Sequence, residues 1–421
     1  MKYKLSKYNC IKVGEKVAIC NTFSRGIAVL ERAEYTRLQQ ISESCEEDDT
    51  ILEWFKQGFI VDADKDEIEI VNYCRYRDTF LKNRPIYRIL TTSACNARCY
   101  YCYEKGRPDH TMTNQIACKT ADFIIRSAKD ANGLTLNWFG GEPLLNPNAI
   151  TLITQKIITA FDDKKVNSTI ITNASLFSKE LRQLAKSTWN VSRIQVSLDG
   201  FKETHERRKA YVNYNDSFEK TIETIGLLLS DGFHVSLRLN YDKGNYNEIK
   251  ELIYFIKETF RSPLNLTCYT YPLFNTFSCK ESLYIKTDDI PLYESIMKRA
   301  LAECGYYNPL KIPSQRTTAC FATDPDSCVI NTDGQLYKCT MDMSANSNSV
   351  GNVNDGYNYG RSMVKWTTPD LPEQCQDCIM LPICQGGCRA GRLLKINMND
   401  CAIKKQAIEY TLNHILNHYK S

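Results

Sequence analysis

The sequence predicts an α/β protein: a partial (β/α)6 TIM-type barrel, a small winged-helix-like module ahead of it and a cysteine-rich domain behind it. Three observations lead there. Strand and helix patterns alternate six times over residues 85–271, the alternation that builds a parallel sheet with right-handed crossovers. Four polar motifs, at Cys95, Gly140, Asn173 and Asp199, each fall directly after a predicted strand, where a barrel carries its reactive groups. Eleven of the nineteen cysteines lie in two clusters, around 95–102 and 320–401. The expected divisions are 1–84, 85–310 and 311–421.

In the first division, residues 10–13 and 17–20 flank Gly14-Glu15-Lys16 and read as a hairpin. Helical patterns follow near 33–43 and 49–57, separated by an acidic run at 43–49, and Phe59-Ile60-Val61 reads as a strand. The set fits a winged-helix adaptor or, equally, a structural extension that covers one end of the barrel. Barrel strands are expected at 87–92, 134–139, 169–172, 193–198, 234–240 and 265–271. Helices are expected near 114–130, 148–161, 178–187, 217–230 and 245–259. A helix near 288–304 leads into the last division, which carries eight cysteines. There a Gly/Asn/Ser-rich passage at 344–360 reads as loop, and an amphipathic helix over 402–419 closes the chain.

Composition narrows the function classes. The 421 residues suffice for two or three domains. A net charge of +4, from 53 Lys plus Arg against 49 Asp plus Glu, is too small to predict nucleic-acid or membrane binding. No apolar run approaches the roughly 18 residues that a membrane span needs, and Met1-Lys2-Tyr3-Lys4 lacks the apolar core of a signal peptide. The expected compartment is the cytoplasm. Clustered cysteines in a reducing compartment point to metal rather than to disulfides. The eight scattered ones (Cys10, Cys20, Cys45, Cys74, Cys118, Cys268, Cys279 and Cys304) read as small buried hydrophobes. Of these, Cys118, Cys268 and Cys279 have a second reading as hydrogen-atom donors.

The first cluster, Cys95-x3-Cys99-x2-Cys102, sits on a loop leaving a strand. Three thiolates there hold three irons of a 4Fe–4S cube, which normally takes four cysteines. An open metal position marks chemistry rather than scaffolding, as it does for catalytic zinc. A zinc site is the competing reading, although zinc more often pairs two C-x2-C knuckles. A disulfide is a weaker third.

With Tyr101 before its last cysteine, the triad resembles the signature of radical S-adenosylmethionine (SAM) enzymes. The resemblance implies that Cys95, Cys99 and Cys102 hold a 4Fe–4S cluster whose open iron chelates SAM. It further implies reductive cleavage of SAM to a 5′-deoxyadenosyl radical, with the protein supplying orientation and exclusion of water. Gly140-Gly141-Glu142-Pro143 resembles the GGEP motif of the same family, where glycines allow close backbone approach and Glu142 faces the SAM ammonium. Asn173, in Thr172-Asn173-Ala174, resembles a Thr-Asn-Gly segment facing the ribose, with Ala in place of Gly. Ser197-Leu198-Asp199-Gly200 resembles the fifth-strand motif. Ser197, Asp199 and Arg208 become candidates for the carboxylate or ribose of SAM, a guanidinium being able to clamp a carboxylate bidentately. Arg207 is the second choice for that arginine, and a turn or N-cap role is the alternative for Asp199.

Cys320-x13-Gly334-x4-Cys339, Cys375-x2-Cys378-x5-Cys384-x3-Cys388 and Cys401 resemble the SPASM domain, which follows radical SAM barrels that act on peptides and carries two auxiliary 4Fe–4S clusters. By that resemblance Cys375, Cys378, Cys384 and Cys401 hold one cluster. Cys320, Cys339 and Cys388 hold the other, with Cys328 as the expected fourth ligand; without it that cluster would keep an open iron. Tyr8-Asn9, Cys20-Asn21-Thr22 and Gly58-Phe59-Ile60-Val61 are broadly similar to the leader-recognition portion of peptide maturases. The expected function is hydrogen abstraction from a ribosomally made precursor peptide, leading to a thioether or carbon–carbon cross-link. The expected cofactors are SAM and three 4Fe–4S clusters, the expected partners the precursor and a flavodoxin or ferredoxin-type reductant. An anaerobic sulfatase-maturing enzyme and a non-enzymatic iron–sulfur electron carrier are the alternatives.

Overall fold

A computed structural model describes residues 2–41, 48–81, 83–161, 165–212, 216–273, 283–313, 320–343, 345–396 and 400–418. Cys45, Cys279 and most of the acidic run at 43–49 lie outside the described residues.

At the N-terminus, β2 (Asn9–Val13), β3 (Val17–Asn21) and β4 (Ile27–Leu30) form an antiparallel sheet, with Cys10 opposite Cys20. A separate pair joins β1 (Tyr3–Leu5) to β5 (Ile60–Asp62). β3 is buried along its whole length because both of its faces are covered. Val17 and Ile19 pack with Tyr3, Leu38, Ile51, Trp54 and Phe59. Ala18 and Cys20 meet Ile408, Leu412 and Ile415 of the closing helix Asp400–His418. The sheet is thus clamped onto the C-terminal region. The helix Asp49–Gln57 starts on the Asp48 side chain, which accepts from the Ile51 amide, and stops at Gly58 with φ +74. The helices Arg32–Gln39 and Glu67–Phe80 complete this part. The second was not expected, since its apolar residues are spread around the whole circumference.

The barrel strands are β6 (Ile86–Thr92), β7 (Gly133–Gly140), β8 (Lys165–Thr172), β9 (Val191–Leu198), β10 (His234–Tyr241) and β11 (Leu266–Pro272). Each pairs in parallel with its sequence neighbour, giving the order of a partial barrel. Alternation along the strands sets their two faces. In β9 and β10, Ile194, Val196, Leu198, Val235, Leu237 and Leu239 are buried in the main core with the surrounding helices. Their neighbours Gln195, Ser197, Arg238 and Asn240 face the interior. One short helix, Lys202–Lys209, is inserted after β9. It carries no apolar periodicity, so no pattern in the sequence reveals it.

β12 (Cys328–Ile330) joins the free edge of β6 in parallel, and β13 (Gln335–Tyr337), β14 (Gly351–Asn352) and β15 (Gly356–Tyr357) continue as an antiparallel meander. The result is one ten-stranded sheet running from the barrel into the cysteine-rich region. Part of the passage expected as loop is therefore strand β14–β15. None of the described helices is long and apolar enough to cross a membrane.

Candidate active site

The interior of the barrel opens into a cavity of about 760 Å³ at the carboxyl ends of the strands. Cys95, Cys99, Tyr101 and Cys102 line it on the loop after β6, and Gly140, Gly141, Asn173 and Ser197 line it from three neighbouring motifs. So do Cys339 and Cys388, which reach the cavity from the cysteine-rich region. The cluster loop is tied to that region directly. The Tyr103 hydroxyl donates to Thr340 Oγ1 at 3.2 Å, and Arg107 donates to the Thr340 carbonyl at 2.9 Å.

Burial shapes the chemistry of the triad. It pushes the Cys95 thiol up to about 12 and the Cys99 thiol up to about 11, and raises Cys102 as well. Without metal these thiols stay protonated, and metal binding releases their protons. Tetrahedral zinc, with Zn–S near 2.3 Å, draws its sulfurs to within about 4 Å of one another. Among the described residues no three cysteine sulfurs lie mutually within 4.8 Å.

The glycines are needed where they stand. A Cβ on Gly140, which has φ +128, would lie 2.1 Å from the Thr92 carbonyl oxygen, and one on Gly141 would lie 2.2 Å from that of Ala94. Their bare backbone forms the cavity wall between β6 and β7. Gly140→Ala should cost about 3 kcal/mol in stability, measurable by chemical denaturation.

Glu142 departs from expectation. It is fully buried and absent from the cavity wall: its carboxylate accepts from Thr172 Oγ1 at 2.7 Å and from the amides of Asn173 and Leu144 at 2.9 and 3.2 Å. It positions Asn173 rather than facing the cavity. Pro143 begins the adjoining turn Pro143–Leu145 and is likewise buried away from it. The Asn173 amide donates to Asn96 Oδ1 at 2.8 Å, linking β8 to the cluster loop. Ala174 holds φ +66, the left-handed region, so the Thr-Asn-Ala segment keeps a backbone that glycine adopts more readily. Ala174→Gly should therefore leave the fold unstrained and stabilise it by up to about 1 kcal/mol, read as a raised Tm.

Asp199 and its neighbours form a buried network behind Tyr101. Asp199 Oδ2 accepts from the Tyr101 hydroxyl at 2.5 Å and Oδ1 from Asn240 Nδ2 at 3.0 Å. Burial alone would raise the Asp199 carboxyl, yet Lys209, His205, Tyr101 and Asn240 outweigh it and hold it below the usual carboxylate range. Burial pushes the His205 imidazole down to about 4, so it is neutral. Asp199 thus orients Tyr101 from outside the cavity.

The buried cation beside Ser197 and the triad is Lys209, a residue that the sequence motifs do not single out. It lines the cavity, is buried, and hydrogen-bonds Ser197 Oγ through Nζ. Burial works against its charge, but Asp199, Cys99 and Cys95 hold its pKa above the ordinary value. Arg208 is turned away. Its guanidinium donates to both oxygens of Asp242, at 2.7 and 3.3 Å, and stacks 4.9 Å from the Tyr100 ring. Arg207 is exposed. Successive residues of the helix Lys202–Lys209 point about 100° apart, and only Lys209 faces the cysteines.

In the C-terminal region Cys320, Cys339 and Cys388 converge around Ala322, Trp366 and Ala390. Cys375, Cys378, Cys384 and Cys401 form a second group. Cys328 joins neither. It pairs with Tyr87 across β12 and β6 and is completely buried in the main core. Its place between Cys320 and Cys339 in the chain suggested a ligand; the strand pairing removes it. All seventeen described cysteines are free thiols, Cys268 and Cys304 being buried in the core and Cys118 partly buried on the helix Asn114–Ser127.

Residues 89–256 match the Radical SAM superfamily. The radical SAM cyclopropyl synthase TigE of Paramaledivibacter caminithermalis is 23% identical over 419 residues, covering 89% of this chain and 84% of TigE. Among solved structures, anSMEcpe with bound AdoMet superposes with a TM-score of 0.64 at 17% identity, over 79% of this chain and 99% of its own. Streptococcus suis SuiB bound to the precursor peptide SuiA gives 0.55 at 14%, over 94% and 98%. The triad, the glycine-walled cavity and these likenesses agree: the chain is an enzyme with a radical SAM domain over residues 89–256, and it resembles the SPASM-type peptide maturases.

Proposed function

We propose that this radical SAM enzyme matures a ribosomally synthesised peptide, abstracting a hydrogen atom from one residue and closing a thioether or carbon–carbon cross-link. The observation that carries the proposal is the shared cavity, lined at one end by Cys95, Cys99 and Cys102 and at the other by Cys339 and Cys388. A 4Fe–4S cluster on the triad supplies the electron that cleaves SAM to the 5′-deoxyadenosyl radical. Ser197 and Lys209 orient the SAM carboxylate, the Gly140–Gly141 backbone takes the ammonium end, and Asn173 lies toward the ribose. Tyr101, held by Asp199, closes the wall and keeps water from the radical.

Closing either cross-link removes one hydrogen atom to 5′-deoxyadenosine and leaves one proton and one electron to be accepted. Cys320, Cys339 and Cys388 would hold the acceptor cluster, and with three protein ligands it could also take a substrate thiolate. Cys375, Cys378, Cys384 and Cys401 hold the third cluster. A flavodoxin or ferredoxin-type protein is the reductant. Among the described lining residues the carboxylates are Glu104 and Asp109, and Glu104 is paired with Arg107. Asp109 is exposed, so of the two it is the one that could serve as the base formylglycine formation needs. SuiB, whose structure holds its precursor peptide SuiA, superposes over 94% of this chain, which supports a peptide substrate. Ile11 and Val13 are exposed on edge strand β2, which suits strand addition by a leader.

Co-expression with short peptides encoded beside the gene tests the reading. A peptide lighter by two hydrogen masses supports it. A cysteine converted to formylglycine, or no change in any candidate with 5′-deoxyadenosine still forming, overturns it. Ile11→Glu together with Val13→Glu should weaken binding of that precursor about tenfold without changing SAM cleavage; unchanged affinity would remove the leader role.

A further inference from the structure

Two guanidinium groups inside the cavity have no assigned task. Arg88 stands on β6 and Arg238 on β10, with three strands between them, and both line the cavity. Each lies against aromatic faces: Arg88 is 5.3 Å from the Phe139 ring and 4.8 Å from that of Phe321, and Arg238 is 3.9 Å from Tyr271. Each donates its Nε to an asparagine oxygen, Arg88 to Asn137 Oδ1 at 2.7 Å and Arg238 to Asn240 Oδ1 at 3.0 Å. Among the described residues, neither has an ion pair or a hydrogen-bond partner for its terminal nitrogens. The two devices are alike: a ring fixes the plane, an amide fixes the rotation, and the fork is left facing the interior.

A guanidinium held in this way presents paired donors matched to a carboxylate. The cavity around it is cationic, with six Lys or Arg residues against two carboxylates among its lining. Lys209, beside Ser197 and the triad, already answers the carboxylate of SAM. The cysteines of the wall become anionic when they hold clusters and answer part of the remaining charge, while the two forks, fixed by rings and amides with their terminal nitrogens unpartnered among the described residues, are placed to meet a second anion.

We infer that Arg88 and Arg238 are specificity residues for an acidic side chain of the substrate, an aspartate or glutamate adjoining the residue that loses hydrogen. The inference rests on the peptide-maturase reading and narrows it to peptides with acidic cores. Fixed forks orient the peptide so that one neighbouring carbon meets the radical, and an amide isostere lacks the charge that each fork is built to meet.

The test uses the full-length, anaerobically reconstituted enzyme with SAM. Two pools of N-acetylated, C-amidated octapeptides serve as probes, identical except for Asp or Asn at one central position, the other positions being drawn from Gly, Ala, Val, Ser and Tyr. Peptide retained by immobilised enzyme is measured by mass spectrometry. The Asp pool should be retained about tenfold more than the Asn pool. Arg238→Gln and Arg88→Gln should each bring the pools toward parity, with SAM affinity and iron content unchanged and Arg→Lys recovering only part of the preference. Equal retention of both pools by the unaltered enzyme overturns the inference and leaves the maturase reading standing; retention of neither pool counts against both. Loss of SAM binding in Arg238→Gln, or of iron in Arg88→Gln, would assign those groups to the cofactors instead and overturn it too.

Discussion

Replacing Lys209 with methionine will weaken SAM binding by at least roughly 30-fold, whereas replacing Arg208 with glutamine will leave the affinity of the folded enzyme within about threefold. The two residues are adjacent and carry the same charge, so composition and net charge do not separate them. Their surroundings do. Lys209 is buried beside Ser197, Cys95, Cys99 and Asp199. Removing a desolvated partner of this kind costs about 2–5 kcal/mol of binding. Arg208 instead completes a buried bidentate pair with Asp242. Breaking that pair strands the Asp242 carboxylate and should lower stability by about 3–5 kcal/mol. Equilibrium binding of SAM to reconstituted protein, with thermal melting of the same samples, separates the two effects. An Arg208 variant that melts normally and fails to bind SAM would reverse the assignment.

The second large effect concerns iron. Cys339→Ala will lower the iron content of the reconstituted enzyme by roughly four atoms, the complement of one cube, and Cys328→Ala will leave it unchanged. Cys339 stands with Cys320 and Cys388 on the cavity side of the cysteine-rich region. Cys328 is locked into β12 against Tyr87 and completely buried. Its loss should register as about 1 kcal/mol of stability, the effect of deleting a small buried group. Iron and acid-labile sulfide assays check both variants. Loss of four irons from Cys328→Ala would restore it as a ligand and close the coordination position proposed for substrate.

The barrel was legible because each of its strands is a short apolar run with a turn signal at its end, and five of the intervening helices keep a regular apolar stripe. The triad was legible because cysteine spacing on one loop fixes which sulfurs meet. Errors arose where meaning depends on residues distant in sequence. Glu142 was read as facing SAM because its donors, Thr172 and Asn173, arrive from a strand thirty positions away. The sequence points to Arg208, with Arg207 second and Lys209 not singled out, because the partner Asp242 lies beyond the next strand and the helix phase that separates the three cations belongs to an element with no periodicity to reveal it. Cys328 was recruited by proximity in the chain, while its strand pairing with β6 is a contact across 241 residues, of the same span as the Ile86 amide to Ser327 Oγ bond. Arg88 and Arg238 did carry a signal: each is a cation at an inward position of a barrel strand, flanked by apolar residues on both sides.

The most direct test of the account is anaerobic reconstitution with iron and sulfide, followed by SAM and a low-potential reductant. The account predicts 5′-deoxyadenosine from the unaltered enzyme and none from Cys95→Ala, Cys99→Ala or Cys102→Ala. A fully iron-loaded enzyme that binds SAM and yields no 5′-deoxyadenosine, with or without peptide, would contradict it.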